Sequence, residues 1–301
     1  MNTRNPYTLN ILLADDGSEH SQAAVKLIGN LPLDKQSRIM ALRVFTPSET
    51  DKVWGLEKSL KATEKALLNQ GMQIESDLVM GHPAEKIIEV AEKQNDDLIV
   101  IGAKGLRATL GIFLGGVVQQ VAEHAELPVL VVRAPYKGLN RVLLLIDGSE
   151  ESKKMLAYMG SFPLPPETKI EVLHVAPPIP REEDFVQYWP SGIDVAYTVP
   201  IEKLQEQVEE RAREEELFGK KISEESINLL QEQGLTATSI FLRGDAATEI
   251  IQYTKDHQID LIVSGGRGLS PIKSWLLGSV SRKLLHYAPC SVMVVKGKKE
   301  K

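Results

Sequence analysis

Short runs of aliphatic and β-branched residues alternate along the chain with stretches in which apolar positions recur every three to four residues. That alternation predicts βαβ units around a parallel sheet. In the first half the runs fall at 9–14, 39–44, 73–79, 98–101 and 129–132. Residues 98–101 and 129–132 are wholly apolar, as in strands covered on both faces, whereas 73–79 mixes in polar residues and predicts a more exposed strand. The stretch 18–29 opens on Ser18, a helix-capping residue type, and 83–94 places Ile87, Ile88 and Ala91 at helical spacing behind Pro83, suited to a first turn. Each half then reads as five strands and four helices, an α/β, doubly wound layer.

The chain repeats itself. Leu12 to Glu19 (LLADDGSE) aligns with Leu143 to Glu150 (LLLIDGSE), placing Asp16 over Asp147, and Leu42-Arg43-Val44 falls over Leu173-His174-Val175 at the same offset of 131 residues. Further on, Gly81-His82-Pro83-Ala84 lies over Gly244-Asp245-Ala246-Ala247, and Asp97 to Gly102 over Asp260 to Gly265, at an offset of 163. An internal repeat settles the architecture before any single element is assigned. The expectation is two tandem doubly wound domains, each a five-stranded parallel sheet flanked by helices: 1–134, a linker at 135–140 carrying Pro135 and Gly138, and 141–301. The second copy holds 32 extra residues within 177–221. This excess opens on a proline-rich loop and continues through 201–233, where Leu204, Val208 and Ala212 recur at helical spacing among Glu, Gln, Lys and Arg. A long solvated amphipathic helix is the simpler reading, and a lid or docking element the alternative.

The length of 301 residues fits two domains, each with its own core, and 43% hydrophobic with 25% charged residues is a globular composition. The net charge of −6 offers no basic field for a nucleic acid backbone. Cys290, the one cysteine, has no disulfide partner within the chain and is insufficient for a multi-cysteine zinc site. No apolar run approaches the ~20 residues that span a bilayer. A cytoplasmic protein without nucleic acid or membrane partners is expected.

The sharpest chemical signal follows the fourth strand of the second half. Gly265-Gly266-Arg267-Gly268 precedes nine residues and then Gly278-Ser279-Val280-Ser281, a G-x2-G-x9-G-S frame. Glycines after a parallel strand allow tight turning and close approach of a ligand. Gly278-Ser279 then opens a helix whose free N–H groups favour phosphate oxygens, with Ser279 and Ser281 as hydroxyl donors and Arg267 as a neutralising cation. The rim beyond the carboxyl ends of the strands is also where open α/β sheets bind ligands. The first half repeats the glycine spacing with Gly102, Gly105, Gly115 and Gly116. There Gly116 stands for Ser279 and Val118 for Ser281, so a weaker or altered site is expected, with Gly105→Val less damaging than Gly268→Val. Asp16 and Asp147, at first-strand ends, suit either a base or sugar contact or a local capping role. Lys104 has the same two readings as Arg267, phosphate partner or solvated loop cation.

With these motifs and the ending His286 to Val295 (HYAPCSVMVV), the chain resembles the universal stress protein family, specifically its tandem members, over nearly all of both halves. The resemblance implies an adenine nucleotide alpha hydrolase-like fold that binds ATP, or ADP or AMP, as a stress-response regulator without rapid turnover. Magnesium enters only as a companion of the nucleotide phosphates. The implied nucleotide-binding residues are Asp147, Val175, Gly265, Gly268, Gly278, Ser279, Val280 and Ser281, with Asp16, Val44, Gly102, Gly105 and Gly115 forming a weaker second site and Gly116 departing from the pattern. Family resemblance also implies that the valine-rich last strands pair, here within one chain as a pseudo-dimer, with room for further association of two chains.

Competing enzyme readings lack their residues. No G-x4-G-K-[ST] loop and no G-x-G-x-x-G after a first strand occurs, and the six histidines are scattered without metal-ligand spacing. Asp15-Asp16 imitates the acidic pair of a phosphoacceptor receiver, but strand 73–79 ends without an aspartate. A ligand-free scaffold, in which the glycines serve turns alone, and a slow ATP hydrolase remain the alternatives.

Overall fold

A computed structural model of the chain describes residues 8–105, 114–180, 201–266, 268 and 277–296. The first half runs β1 (Asn10–Ala14), α1 (Glu19–Asn30), β2 (Arg38–Phe45), a short 3-10 helix (Pro47–Lys52), α2 (Val53–Leu68), β3 (Gln73–Met80), α3 (Pro83–Lys93), β4 (Leu98–Gly102), α4 (Gly116–His124) and β5 (Val129–Val132). The second half repeats the order as β6 (Arg141–Leu145), α5 (Glu150–Ser161), β7 (Lys169–Ala176), α6 (Ile201–Glu232), β8 (Ala237–Arg243), α7 (Ala246–Asp256), β9 (Leu261–Gly265), α8 (Ser279–Tyr287) and β10 (Ser291–Val295).

All ten strands join one sheet in the order β3-β2-β1-β4-β5-β10-β9-β6-β7-β8. Pairing is parallel within each half, and the halves meet where β5 and β10 run antiparallel, Leu130 opposite Met293. The valine-rich last strands therefore lie at the centre, paired with each other, while the more polar β3 and β8 form the outer edges. Since the halves run in opposite directions, their carboxyl-end rims lie at opposite ends of the sheet.

Strand residues alternate between two apolar layers. Ile11 and Leu13 pack with Leu27, Leu60, Met155 and Leu230 beneath α1, α2, α5 and α6. Leu12 and Ala14 pack with Ile87, Val121, Ile250 and Leu284 beneath α3, α4, α7 and α8. Each layer crosses the junction, so two apolar layers, one on each face of the sheet, serve both repeats in place of a separate core for each. A reciprocal clasp adds to them. Lys296 Nζ donates to the carbonyls of Glu123 and Ala125 at the end of α4, and Arg133 Nη2 donates to Leu285 O at the end of α8. Both cations sit where a helix exposes its last carbonyls.

Helix α6 is 32 residues long against 16 in its first-half counterpart α2, so it supplies about half of the excess length of the second copy, and the rest falls between β7 and Ile201. Its later turns bury Gly219, Ile222, Ser223, Ser226 and Leu230, whereas Lys203, Gln205, Glu206, Gln207, Glu209, Glu210 and Arg211 are exposed. The simpler expectation of a solvated amphipathic helix matches this pattern. Residues 181–200 of the insertion lie outside the described residues.

Candidate functional site

The first-half site begins at the end of β1. Gly17 takes a left-handed φ of +76°, which turns the chain sharply into α1. Asp16 Oδ1 accepts the Ser18 N–H at 3.0 Å, while Ser18 Oγ accepts the Ser21 N–H and caps the helix. Capping thus falls to Ser18, and Asp16 braces the turn. Ser18 Oγ also donates to Lys104 O at 3.0 Å, tying this turn to the loop after β4. There the backbone comes very close. A Cβ on Gly102 would lie 2.7 Å from Ser21 N, and one on Gly105 would lie 2.5 Å from Asp16 Oδ2. Helix α4 then opens on Gly115 with no side chain capping its first turn. Its leading amides are the donors that a helix N-terminus leaves unpaired.

These features surround a cavity of about 340 Å³, within the usual range of small-ligand sites. Asp16, Val44, Gly102, Gly105, Gly115 and Gly116, the six predicted first-half residues, all line it. Leu42, Ile101, Val117 and Val118 supply apolar walls, and Glu49 and Leu56, which the sequence reading did not single out, also border it. Near Gly116 a Cβ would meet nothing within 4 Å, so the missing serine leaves open space rather than a blockage.

Also absent from the sequence reading is a buried ion pair. Asp15 and Arg43 are each 3% exposed, and their side chains meet at 2.9 Å. The repeat carried the signal, because Asp15 lies over Ile146 and Arg43 over His174, two positions that change character together. On the other side of the turn, His20 Nδ1 accepts the Ala134 N–H at 2.9 Å. Burial, and then the Arg133 charge, hold this imidazole below the usual histidine range, in keeping with a neutral acceptor ring.

The second half rebuilds the skeleton at the opposite rim. Gly148 has φ +78°, Asp147 Oδ1 accepts the Ser149 N–H at 3.0 Å, and a Cβ on Gly268 would collide with Asp147 Oδ2. Gly265 packs against the Glu151 backbone, and α8 opens on Gly278 without a side-chain cap. Val280 and the exposed Ser279 stand in its first turn. Val175 occupies the place of Val44 on β7. Ser281 departs from the expectation of a ligand donor. It is buried, and its hydroxyl donates to Gly265 O at 3.0 Å, holding the loop from within. Arg267 lies outside the described residues.

Comparison with known proteins matches this geometry to a lineage. The sequence model of the Universal stress protein family fits residues 8–133 and again 138–296. The chain belongs to the universal stress protein family. Universal stress protein YxiE of Bacillus subtilis is 31% identical over 157 residues, 52% of this chain and 99% of that protein. A universal stress protein of Thermus aquaticus is 33% identical over 133 residues, 41% of this chain and 97% of its own length. The crystal structure of a universal stress protein from Archaeoglobus fulgidus shares the fold across both halves, with a TM-score of 0.64, 18% identity and 97% and 98% coverage of the two chains. Among the described residues, no helix of this family member is long and apolar enough to cross a membrane, and no cluster of three or more His, Cys, Asp or Glu residues stands ready for a metal.

Proposed function

We propose that this universal stress protein binds an adenine nucleotide, ATP or its diphosphate or monophosphate, and acts as a stress-response regulator that reads the nucleotide rather than turning it over. The observation that carries the reading is the first-half cavity. It unites six residues spread from 16 to 116, and its lining combines apolar side chains suited to a base with glycines and helix-start backbone suited to phosphate oxygens. Asp16 is assigned to the base or sugar end and Gly102, Gly105, Gly115 and Gly116 to the phosphate end. The equivalent set, Asp147, Val175, Gly265, Gly268, Gly278, Ser279 and Val280, is assigned to a second site, with Arg267 and Lys104 as neutralising cations. Magnesium would arrive already bound to the phosphates.

The first experiment is release of bound small molecules from the purified chain by heat, followed by nucleotide chromatography. Calorimetric titration of the stripped protein with ATP, ADP and AMP comes next. Adenine nucleotide in the released fraction, or saturable binding below millimolar concentration, supports the reading. Neither result, up to millimolar ATP, replaces it with a ligand-free scaffold.

A further inference from the structure

Both halves place a bulky group behind the left-handed glycine that follows β1 or β6, and the two groups differ completely in chemistry. In the second half Phe218 of α6 fills this space, its ring 2.9 Å from where a Gly148 Cβ would stand. His174 packs edge-on to Phe218 and beside Phe241, with Nδ1 3.1 Å from Ile146 O. In the first half Arg43 fills it, with Nη2 3.0 Å from a Gly17 Cβ. Arg43 Nε donates to Asp15 O at 2.9 Å, the carbonyl equivalent to Ile146 O. Two side chains of different type thus pin the same carbonyl of the same turn.

The first-half version reaches further. Arg43 Nη1 donates to Leu56 O at 3.1 Å, so β2 holds the start of α2. The Asp15 carboxylate accepts from Gly17 N at 2.9 Å, Ser21 Oγ at 2.5 Å, Arg43 Nη2 at 2.9 Å and Thr63 Oγ1 at 3.0 Å. One buried pair therefore ties together the ends of β1 and β2, the turn that carries Asp16, the first turn of α1, and α2. Asp15, Arg43 and Leu56 all border the cavity, directly beside Asp16 and Val44. A carboxylate saturated by four protein donors is committed to the scaffold, and so is a guanidinium used on three sides.

We propose that the Asp15–Arg43 pair is the positioning element of the first-half site, fixing the Asp16 turn and the α2 wall in the geometry that receives a nucleotide. The pair acts through these neighbours and not by touching the ligand. A binding site needs its contact groups held to about half an ångström, and a hydrogen-bonded pair anchored on four elements supplies that rigidity. This inference rests on the nucleotide reading above.

The test uses the full-length chain carrying Gly268→Val, which confines binding to the first half. Nucleotide affinity is measured by calorimetry with ATP, and folding stability by urea denaturation. Arg43→Met is expected to weaken ATP binding about 10- to 100-fold, the range in which orienting partners act. In the double variant Asp15→Leu/Arg43→Met no uncompensated charge is left buried, so stability is expected to recover while affinity stays low. If Arg43→Met fails to fold, the double variant alone decides. Unchanged ATP affinity in the single variant, or affinity that returns together with stability in the double, overturns the positioning role. Absence of ATP binding by the parent chain at either site overturns the nucleotide reading itself, a separate and distinguishable failure.

Discussion

The two halves follow one chain path and solve one local problem with opposite chemistry. Behind the turn at Gly17 stands an ion pair buried to 3% exposure, and behind the turn at Gly148 stands an aromatic cluster of His174, Phe218 and Phe241. The parts facing the proposed ligand are conservative between the repeats: an aspartate bracing the turn, glycines in contact with it, and a helix opening on an uncapped glycine. The difference teaches that the space behind the turn must be filled and the strand-end carbonyl pinned, while the means are interchangeable. They are not interchangeable one residue at a time, because a lone charge in either setting lacks its counterpart.

The largest effect should come from breaking that rule. Arg43→Met leaves Asp15 charged and buried, and is expected to cost about 3–5 kcal/mol of stability, read by urea denaturation. The corresponding His174→Met loses one hydrogen bond to Ile146 O and should cost only about 1 kcal/mol. Equal losses would erase the contrast between the halves.

Next are the glycines. The repeat pattern predicted that Gly105→Val matters less than Gly268→Val, because the first half lacks the serine hydroxyls. Position 105 meets Asp16 as position 268 meets Asp147, and the Ser281 hydroxyl points inward. Each valine is therefore expected to weaken nucleotide binding in its own half by at least ~100-fold, about 2.7 kcal/mol, and to leave the other half intact. Titration stoichiometry falling from two to one in each single variant is the readout.

A smaller effect concerns Asp96, which stands where the second half has Ile259. Its carboxyl is buried, Oδ2 has no hydrogen-bond partner, and burial followed by the neighbouring Asp97 charge pushes its pKa up to about 6, against a weaker opposing pull from Arg38. Raising an acid's folded-state pKa penalises the ionised native form at pH values above it. The penalty fades as pH falls through 6 and is gone below the ordinary value near 3.8. Asp96→Asn should accordingly raise stability by about 1–2 kcal/mol at pH 7.5 and by nearly nothing at pH 3.5. A pH-independent gain would show that ionisation is not the cause. Smallest of all, Ser281→Ala should cost about 1 kcal/mol of stability through the lost bond to Gly265 O, with ATP affinity within about threefold of the parent. A larger loss of affinity would return Ser281 to the ligand side.

Much of the fold was legible in the sequence because it rests on local rules. Alternating apolar runs marked the strands, Ser18 and Pro83 marked helix starts, and the repeat itself disclosed two α/β layers. The site's outline was legible for a related reason. Glycines needed for close backbone approach cannot be replaced by larger residues, so their spacing survives in both copies and points to one rim. Arg43 was passed over because a single arginine at a strand end looks like any solvated cation until its partner is known. Ser281 has two readings in the sequence, because a hydroxyl at a helix start suits a phosphate and a loop carbonyl equally well, and the structure shows it on the Gly265 carbonyl.

Periodicity along the chain determined the elements and their order, and the internal repeat determined the tandem organisation and the glycine frame, since each can be read without knowing which side chains meet in space. Tertiary structure alone decided the antiparallel register in which the expected β5–β10 pairing is made, that Arg43 reaches Asp15, Leu56 and the Gly17 turn, and that Ser281 turns inward. Those outcomes depend on distances between residues far apart in sequence, and on how burial makes a charge or a hydroxyl choose the nearest partner.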